Sequence, residues 1–427
     1  MIIKKIFFKE LLIFNKKTFA LFIVILAGEA IFMHPFLVPR VYRPLMIEAW
    51  GITNTQIGIA FSAYGLTAMA SYLFGGPFAD KFHPRSLIVL SLLMTVFGGS
   101  LLIFIPSVTT LIVAYAFFGF STIFFMWSAM IKAIHLLGGD GRRSLAMGLL
   151  EGGRGLVAAL MASFLVFFVA IGPGKREAID NHTETLSLIY VCISVFMIFT
   201  AILVWYGLKN IDLNENRNPS WNLRKLKNIF KNSQIWWLSL VVFTAYCGFK
   251  NIGNYSIYLT EIKGGSIIES SKVTSYIFWV RPISAVIAGI IADRLSYYVE
   301  GGRFLTLMIS FLVAALSQFV LAFNILGSFY FVFSNILISS CFIFSLRAIY
   351  FSMFGDIKIP STVIGTTIGV VSLVGFLPDF FYNYLTGYVI DNVAGSLSYT
   401  LVFCFNGLLL SLGLVASYMC FRGQRSI

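Results

Sequence analysis

Eight ionisable side chains lie inside runs that are otherwise apolar: Glu29, Lys132, Glu151, Arg154, Lys250, Arg281, Arg347 and Asp379. A charge at bilayer depth costs about 2.5–3.5 kcal/mol on insertion scales, so each needs a partner or a hydrated cavity. Five of the eight are basic and three acidic. If every acid pairs, two positive charges remain, and a cavity with that surplus attracts an anionic group. Lys250 is the leading candidate to bind one. It stands in "YCGFKNIGNYSIY", where Tyr246, Asn251, Asn254, Tyr255 and Tyr258 surround the cation with hydrogen-bonding groups. Lys132 and Arg347 are further candidates, with snorkelling to headgroups as the plain alternative. Glu151 and Arg154 are three apart on one helical face and can pair; Arg281 stands just before Pro282 in mid-span 8. A carboxylate taken out of water keeps its proton at higher pH and can load and unload it near neutrality. Glu29, beside Gly28, is therefore the first candidate proton carrier and Asp379, after Pro378, the second. His34 in "FMHPF" is a candidate binding group or a packed histidine at a proline kink.

These residues must be held by membrane-spanning helices. Of 427 residues 58% are hydrophobic and 11% charged, where soluble domains have about 45–50% and 25%. The mean hydropathy is +0.87. Too little polar surface remains to wet a globule of this size, which excludes a soluble enzyme, a disordered scaffold and a nucleic-acid-binding domain. About 20 apolar residues cross a bilayer as a helix, so the composition supports roughly a dozen spans. They fall near 19–39, 54–76, 86–105, 110–133, 144–171, 186–208, 235–259, 272–292, 304–324, 329–353, 362–390 and 397–421. The apolar runs do not alternate with polar residues as barrel strands would.

The net charge of +13 reads as topology. With the N-terminus inside, inside segments carry 20 Lys and Arg and outside loops 6, counting Arg40 and Arg43 at the outer mouth. That bias sets both termini in the cytoplasm. Residues 1–18, with five lysines among apolar residues, read as a basic interfacial segment. The five cysteines fall in spans without a Cys-x-x-Cys pair, the four histidines lack metal spacing, and no Walker loop is present. No cofactor, metal, nucleic-acid partner or enzymatic activity is expected.

The polar stretch 209–234 divides the chain into bundles at 19–208 and 235–421, followed by a tail at 422–427. Three pairs match at nearly one offset. Asp80 and Asp293, each four residues after a glycine, are 213 apart; Gly148 and Gly152 match Gly365 and Gly369 at 217; Lys132 matches Arg347 at 215. Repeated offsets of this kind indicate duplicated six-helix halves. After span 2, Gly76, Asp80, Lys81 and Arg85 stand in a Gly-x-x-x-Asp-Lys-x-x-x-Arg pattern, with His83 and Pro84 where a glycine and a basic residue are usual. Here the chain resembles the major facilitator superfamily. The segments "DKFHPR", "LMIEAWGITNTQIGIAFSAYGL" and "WWLSLVVFTAYCGFKNIGNYSIYL" are most similar to its organophosphate/phosphate antiporter branch. The resemblance implies two six-helix bundles around a cavity lined by spans 1, 4, 7 and 10, with alternating access. In that branch a basic residue near Lys250 pairs with an arginine in span 1; here span 1 offers His34, with Arg40 and Arg43 at the mouth.

Asp80, Arg85, Arg142, Arg143 and Asp293 are read as an inner gate, an aspartate at a helix N-terminus bridged by basic residues. The expected protein is an all-α membrane protein with 12 transmembrane helices in two pseudo-symmetric bundles, a monomer in the inner membrane. Its expected function is secondary active transport of a small anionic or zwitterionic metabolite (organic phosphate, carboxylate or amino acid), by proton symport or exchange against an anion such as phosphate. Its partners are then that solute, the coupling ion and the bilayer. Efflux of amphipathic drugs and a solute sensor of transporter shape are the rival readings.

Overall fold

The computed structural model describes residues 16–138, 143–171, 181–209, 232–323, 327–354 and 364–425. Among them there is no strand. Nine helices are long and apolar enough to cross a membrane: Pro84–Phe104, Val108–Ile134, Leu149–Ala170, His182–Gly207, Ser233–Glu261, Ile267–Tyr298, Gly302–Ala322, Phe329–Ile349 and Ser396–Gln424. They occupy the places predicted for spans 3 to 10 and 12. Span 1 is a bent pair, Lys16–Ala30 and Met33–Val41, at 44°. Helix Asn54–Lys81 stands at span 2, and Ile364–Gly375 with Pro378–Asn392 at span 11. A short helix, Arg43–Trp50, joins spans 1 and 2. Most of the predicted basic segment and of the polar divider, with residues 1–15 and 210–231, lies outside the described residues.

The buried apolar side chains form two clusters. One runs from Ala20 to Leu208 and takes in Phe278; the other runs from Ile235 to Cys420. Large apolar side chains such as Phe97, Leu160, Phe167 and Leu408 point outward, as helices facing hydrocarbon require.

Span 1 bends where Pro35 cannot supply a backbone donor, and a wide turn at Met33–Leu37 absorbs the missing bond. The turn sends His34 away from the centre of the molecule. Its ring is fully buried, 3.4 Å from the Thr95 carbonyl and 3.3 Å from the Tyr190 carbonyl. Gly99 leaves the space that the imidazole fills. Beyond the bend the helix continues through Pro39, tolerated in a first turn, so that Arg40 and Arg43 are buried helical residues. The two arginines expected at the outer mouth are thus buried, because the helix carries on through Pro39.

Among the described residues, spans 2 and 11 form the most extensive seam between the two halves. At Gly58, Gly65 and Gly387 a Cβ would strike the backbone of the facing helix, at Tyr384, Phe380 and Asn54 respectively. Small residues permit that approach. The glycines of span 5 act less uniformly. Gly153 meets Ile25, Gly155 meets Arg281 and Pro282 of span 8, and Gly152 faces open space. Side chains at positions 148, 365 and 369 are not described.

One end of the molecule is clasped. Thr53 caps span 2 through a reciprocal bond with Gln56, which leaves the backbone N–H groups of Asn54 and Thr55 unsatisfied by their own helix. Both donate to the Asp391 carboxylate at the far end of span 11, as do the Asn54 amide and the Thr55 hydroxyl. The helix dipole adds to this attraction. Ser271 of span 8 donates to the Val41 carbonyl at the same end.

Candidate functional site

A cavity of about 80 Å³ lies between the two halves of the chain. Span 1 supplies Glu29, Phe36 and Arg40 to its wall, span 5 Arg154, span 7 Tyr246 and Phe249, span 8 Arg281, span 10 Arg347 and span 11 Asp379. Tyr64, Tyr72 and Trp127 complete it on the first-half side. Positions 29, 36 and 40 are seven and four apart, hence on one helical face. So are Tyr246 and Lys250 in span 7.

The charges sort into three groups. In the first, Glu29 and Glu151 alternate with Arg154 and Arg281. Arg154 donates to Glu29 at 3.1 Å and to Glu151 at 2.8 Å. Arg281 reaches the same two carboxylates at 3.3 and 3.4 Å. Glu151 thus bridges both arginines, and Glu29 closes the ring. Two acids and two bases leave it neutral, and Arg281 alone comes from the second half. In the second group Lys250 donates to Asp379 at 2.7 Å. The Tyr246 hydroxyl donates to both Asp379 oxygens, at 2.9 and 3.1 Å. The lysine head lies 4.9 Å from the Phe36 ring centre and 4.6 Å from that of Phe61, a favourable place for a cation. This group is neutral too.

The third group is Arg40 and Arg347. Neither makes a hydrogen bond or ion pair with any described residue. Both rest on the same ring, with guanidinium carbons 4.1 and 3.8 Å from the centre of Phe249. Their guanidinium carbons are consequently no more than about 8 Å apart. Arg40 is buried and Arg347 half-buried, and both open on the cavity. The surplus of two positive charges is present, but one bearer differs from expectation. Lys132 is not part of the cavity wall, and Arg40 takes its place. The arginine that span 1 seemed to lack at this depth is Arg40. The span bounds drawn at 19–39 had left it just outside the helix.

The remaining predicted residues divide as follows. His34 is packed inside the first half, with its ring nitrogens against two carbonyls, and takes no part in the cavity wall. Asn254 lies along span 7 from Lys250 and accepts a bond from Arg43 at 2.6 Å. Of the gate residues, Asp293 is exposed and pairs with Arg303 at 2.9 Å inside its own half. Arg85 stacks on Trp205, 4.3 Å from the ring centre. Arg142 lies outside the described residues, and so do the side chains of Asp80 and Arg143. The described members thus show no bridge between the halves. Among the described residues no group of three or more potential ligands could hold a metal ion.

Comparison with known proteins gives a family match over nearly the whole chain, to the Major Facilitator Superfamily, at residues 18–382. The inner membrane protein YqcE of Escherichia coli is 26% identical over 393 residues, covering 90% of each chain. The inner membrane protein YihN of the same organism is 26% identical over 416 residues, covering 94% of this chain and 96% of that one. A segment of 72 residues, 15% of this chain and 17% of that one, is 43% identical to a probable sulfoacetate transporter, SauU, of Cupriavidus necator. Among solved structures, a bacterial homologue of the human lysosomal transporter Spinster, inward-facing and unoccupied, superposes with a TM-score of 0.72. It is 14% identical and covers 97% of this chain and 98% of that one. Its occupied form gives 0.65 at 16% identity, covering 96% and 97%.

Proposed function

Since this chain belongs to the major facilitator superfamily of small-solute transporters, we propose that it exchanges small organic oxyanions across the inner membrane, binding them between Arg40 and Arg347. The observation that carries this reading is the pair of cavity guanidinium groups stacked on Phe249 without an acid among the described residues. A buried cation without a counter-ion is costly. A carboxylate, phosphate or sulfonate group supplies the charge-assisted hydrogen-bond acceptor that both guanidinium groups lack among the described residues. The sulfoacetate named for one partial relative has this chemistry at both ends. An amphipathic drug cation has the wrong sign for the site.

The same electrostatics favours exchange. Closing the halves around two unbalanced positive charges is easier with an anion between them, so the return step is made with an anion bound. Asp379, tied to Lys250 and Tyr246, is the proton carrier we would assign under symport. Glu29 lies between two guanidinium groups, those of Arg154 and Arg281. The basic residues at inside loops orient the chain with both termini cytoplasmic, which makes the Asp391 end the outer one and the conformation described closed to the outside.

The test is counterflow in proteoliposomes. Vesicles loaded with unlabelled sulfoacetate or inorganic phosphate should accumulate external labelled sulfoacetate, whereas vesicles loaded with the zwitterion alanine should not. Equal uptake with either load, or uptake that requires a proton gradient and is lost in Asp379→Asn, would replace exchange with symport. Anion binding without any accumulation would identify a sensor.

A further inference from the structure

Arg43 is a buried guanidinium that the central cavity does not use. It is 3% exposed, and its Nε and one terminal nitrogen have no hydrogen-bond partner. Buried donors of a charged group are seldom left unmade, and each such case asks for a reason. The other terminal nitrogen crosses to the second half and donates to Asn254 of span 7. Asn254 in turn donates to Asn251, and Asn251 to Gln318, so the amide is fixed from behind. The nearby acids are already engaged. Asp391 receives the start of span 2, and Glu261 receives the Tyr399 hydroxyl at 2.6 Å. Arg43 therefore has neither a counter-ion nor a full set of acceptors in this conformation. It lies three residues beyond Arg40 toward the clasped end, on the seam where spans 1 and 7 meet.

We propose that Arg43 is a second anion station, which takes up a small organic oxyanion when the halves part at the Asp391 end and is shut against Asn254 in the conformation described. Separating spans 1 and 7 breaks the one bond Arg43 makes and turns its unused donors toward the opening. An oxyanion arriving there meets a positive charge before it reaches Arg40, a stepwise path of the kind charged linings provide. This inference rests on the alternating-access reading above but not on the central site.

The test uses position 254 as a reporter. In a variant with Cys192, Cys247, Cys341, Cys404 and Cys420 replaced by serine, Asn254→Cys is labelled from outside with an anionic sulfonatoethyl methanethiosulfonate and with its cationic trimethylammonioethyl counterpart. A unit charge about 6 Å away across water should favour the anionic reagent by about tenfold over the cationic one. Arg43→Gln should remove that preference and Arg43→Lys should keep it, with unchanged melting temperatures showing that each variant is folded. A preference that survives Arg43→Gln, or a thiol that neither reagent reaches, overturns the proposal, leaving Arg43 as a clasp only. Arg40→Gln separates the two readings. If it leaves anion binding intact, the central site fails while the reagent ratio still reports on Arg43.

Discussion

Two neighbouring cations, Lys250 behind the cavity wall and Arg347 in it, should respond oppositely to the same neutralisation. Lys250→Gln leaves the Asp379 carboxylate buried with the Tyr246 hydroxyl as its remaining donor among the described residues. Breaking a buried ion pair from one side costs about 3–5 kcal/mol, so this variant should melt well below the parent. Arg347→Gln removes a charge that has no acid partner and stands within about 8 Å of Arg40. It loses a cation–π contact of about 0.5–2 kcal/mol and is relieved of desolvation and like-charge repulsion, so stability without anion should be nearly unchanged. Its deficit should appear on binding. A hydrogen bond to a charged group contributes about 1.5–3 kcal/mol, so affinity for sulfoacetate or phosphate should fall roughly ten- to hundredfold. Thermal melts of purified protein in detergent, run across an anion titration, read both quantities at once. If Arg347→Gln melts as low as Lys250→Gln while anion affinity stays within twofold, the sorting of cavity charges into paired and unpaired is wrong. The double variant Lys250→Met with Asp379→Leu should recover most of the lost stability, as removal of a whole buried pair often does.

Arg281→Met should destabilise more than Arg347→Gln, because it leaves Glu29 and Glu151 to share Arg154 alone; comparing the two melting temperatures decides this. Gly65→Leu should abolish transport while the protein still inserts, since its side chain would displace the backbone at Phe380; counterflow alongside membrane yield checks it. Asp391→Asn should open the Asp391 end, because four donors from span 2 lose a charged acceptor; labelling of Asn254→Cys from outside should then speed up severalfold. Burial works against the Asp391 charge, but hydrogen bonds from Thr55 and Asn54 outweigh it and hold the carboxyl below the usual aspartate range. The clasp is therefore complete above that range and is lost only as pH falls through the lowered value. Divided by the thiolate fraction of a free thiol at each pH, the labelling rate should be flat from pH 8 to 6 and rise only in stronger acid.

The class and the succession of helices were legible in the sequence. Those follow from composition, run length and a count of charges, each of which is local or additive. Three-residue spacing also paired Glu151 with Arg154, while the approach of Arg281 from span 8 is a matter of packing. Tertiary structure decided which charges are spent. Whether Glu29 carries a proton or closes a ring depends on two arginines from spans 5 and 8, at 125 and 252 residues' separation. Lys250 looked free in span 7 and is bound by Asp379 from span 11. Arg40 looked external and is central, because a helix bent at Pro35 resumes its course through Pro39. His34 went the other way, turned into the first half by the same bend. Pairing between distant helices is a property of packing angles and close glycine seams, which no single segment encodes.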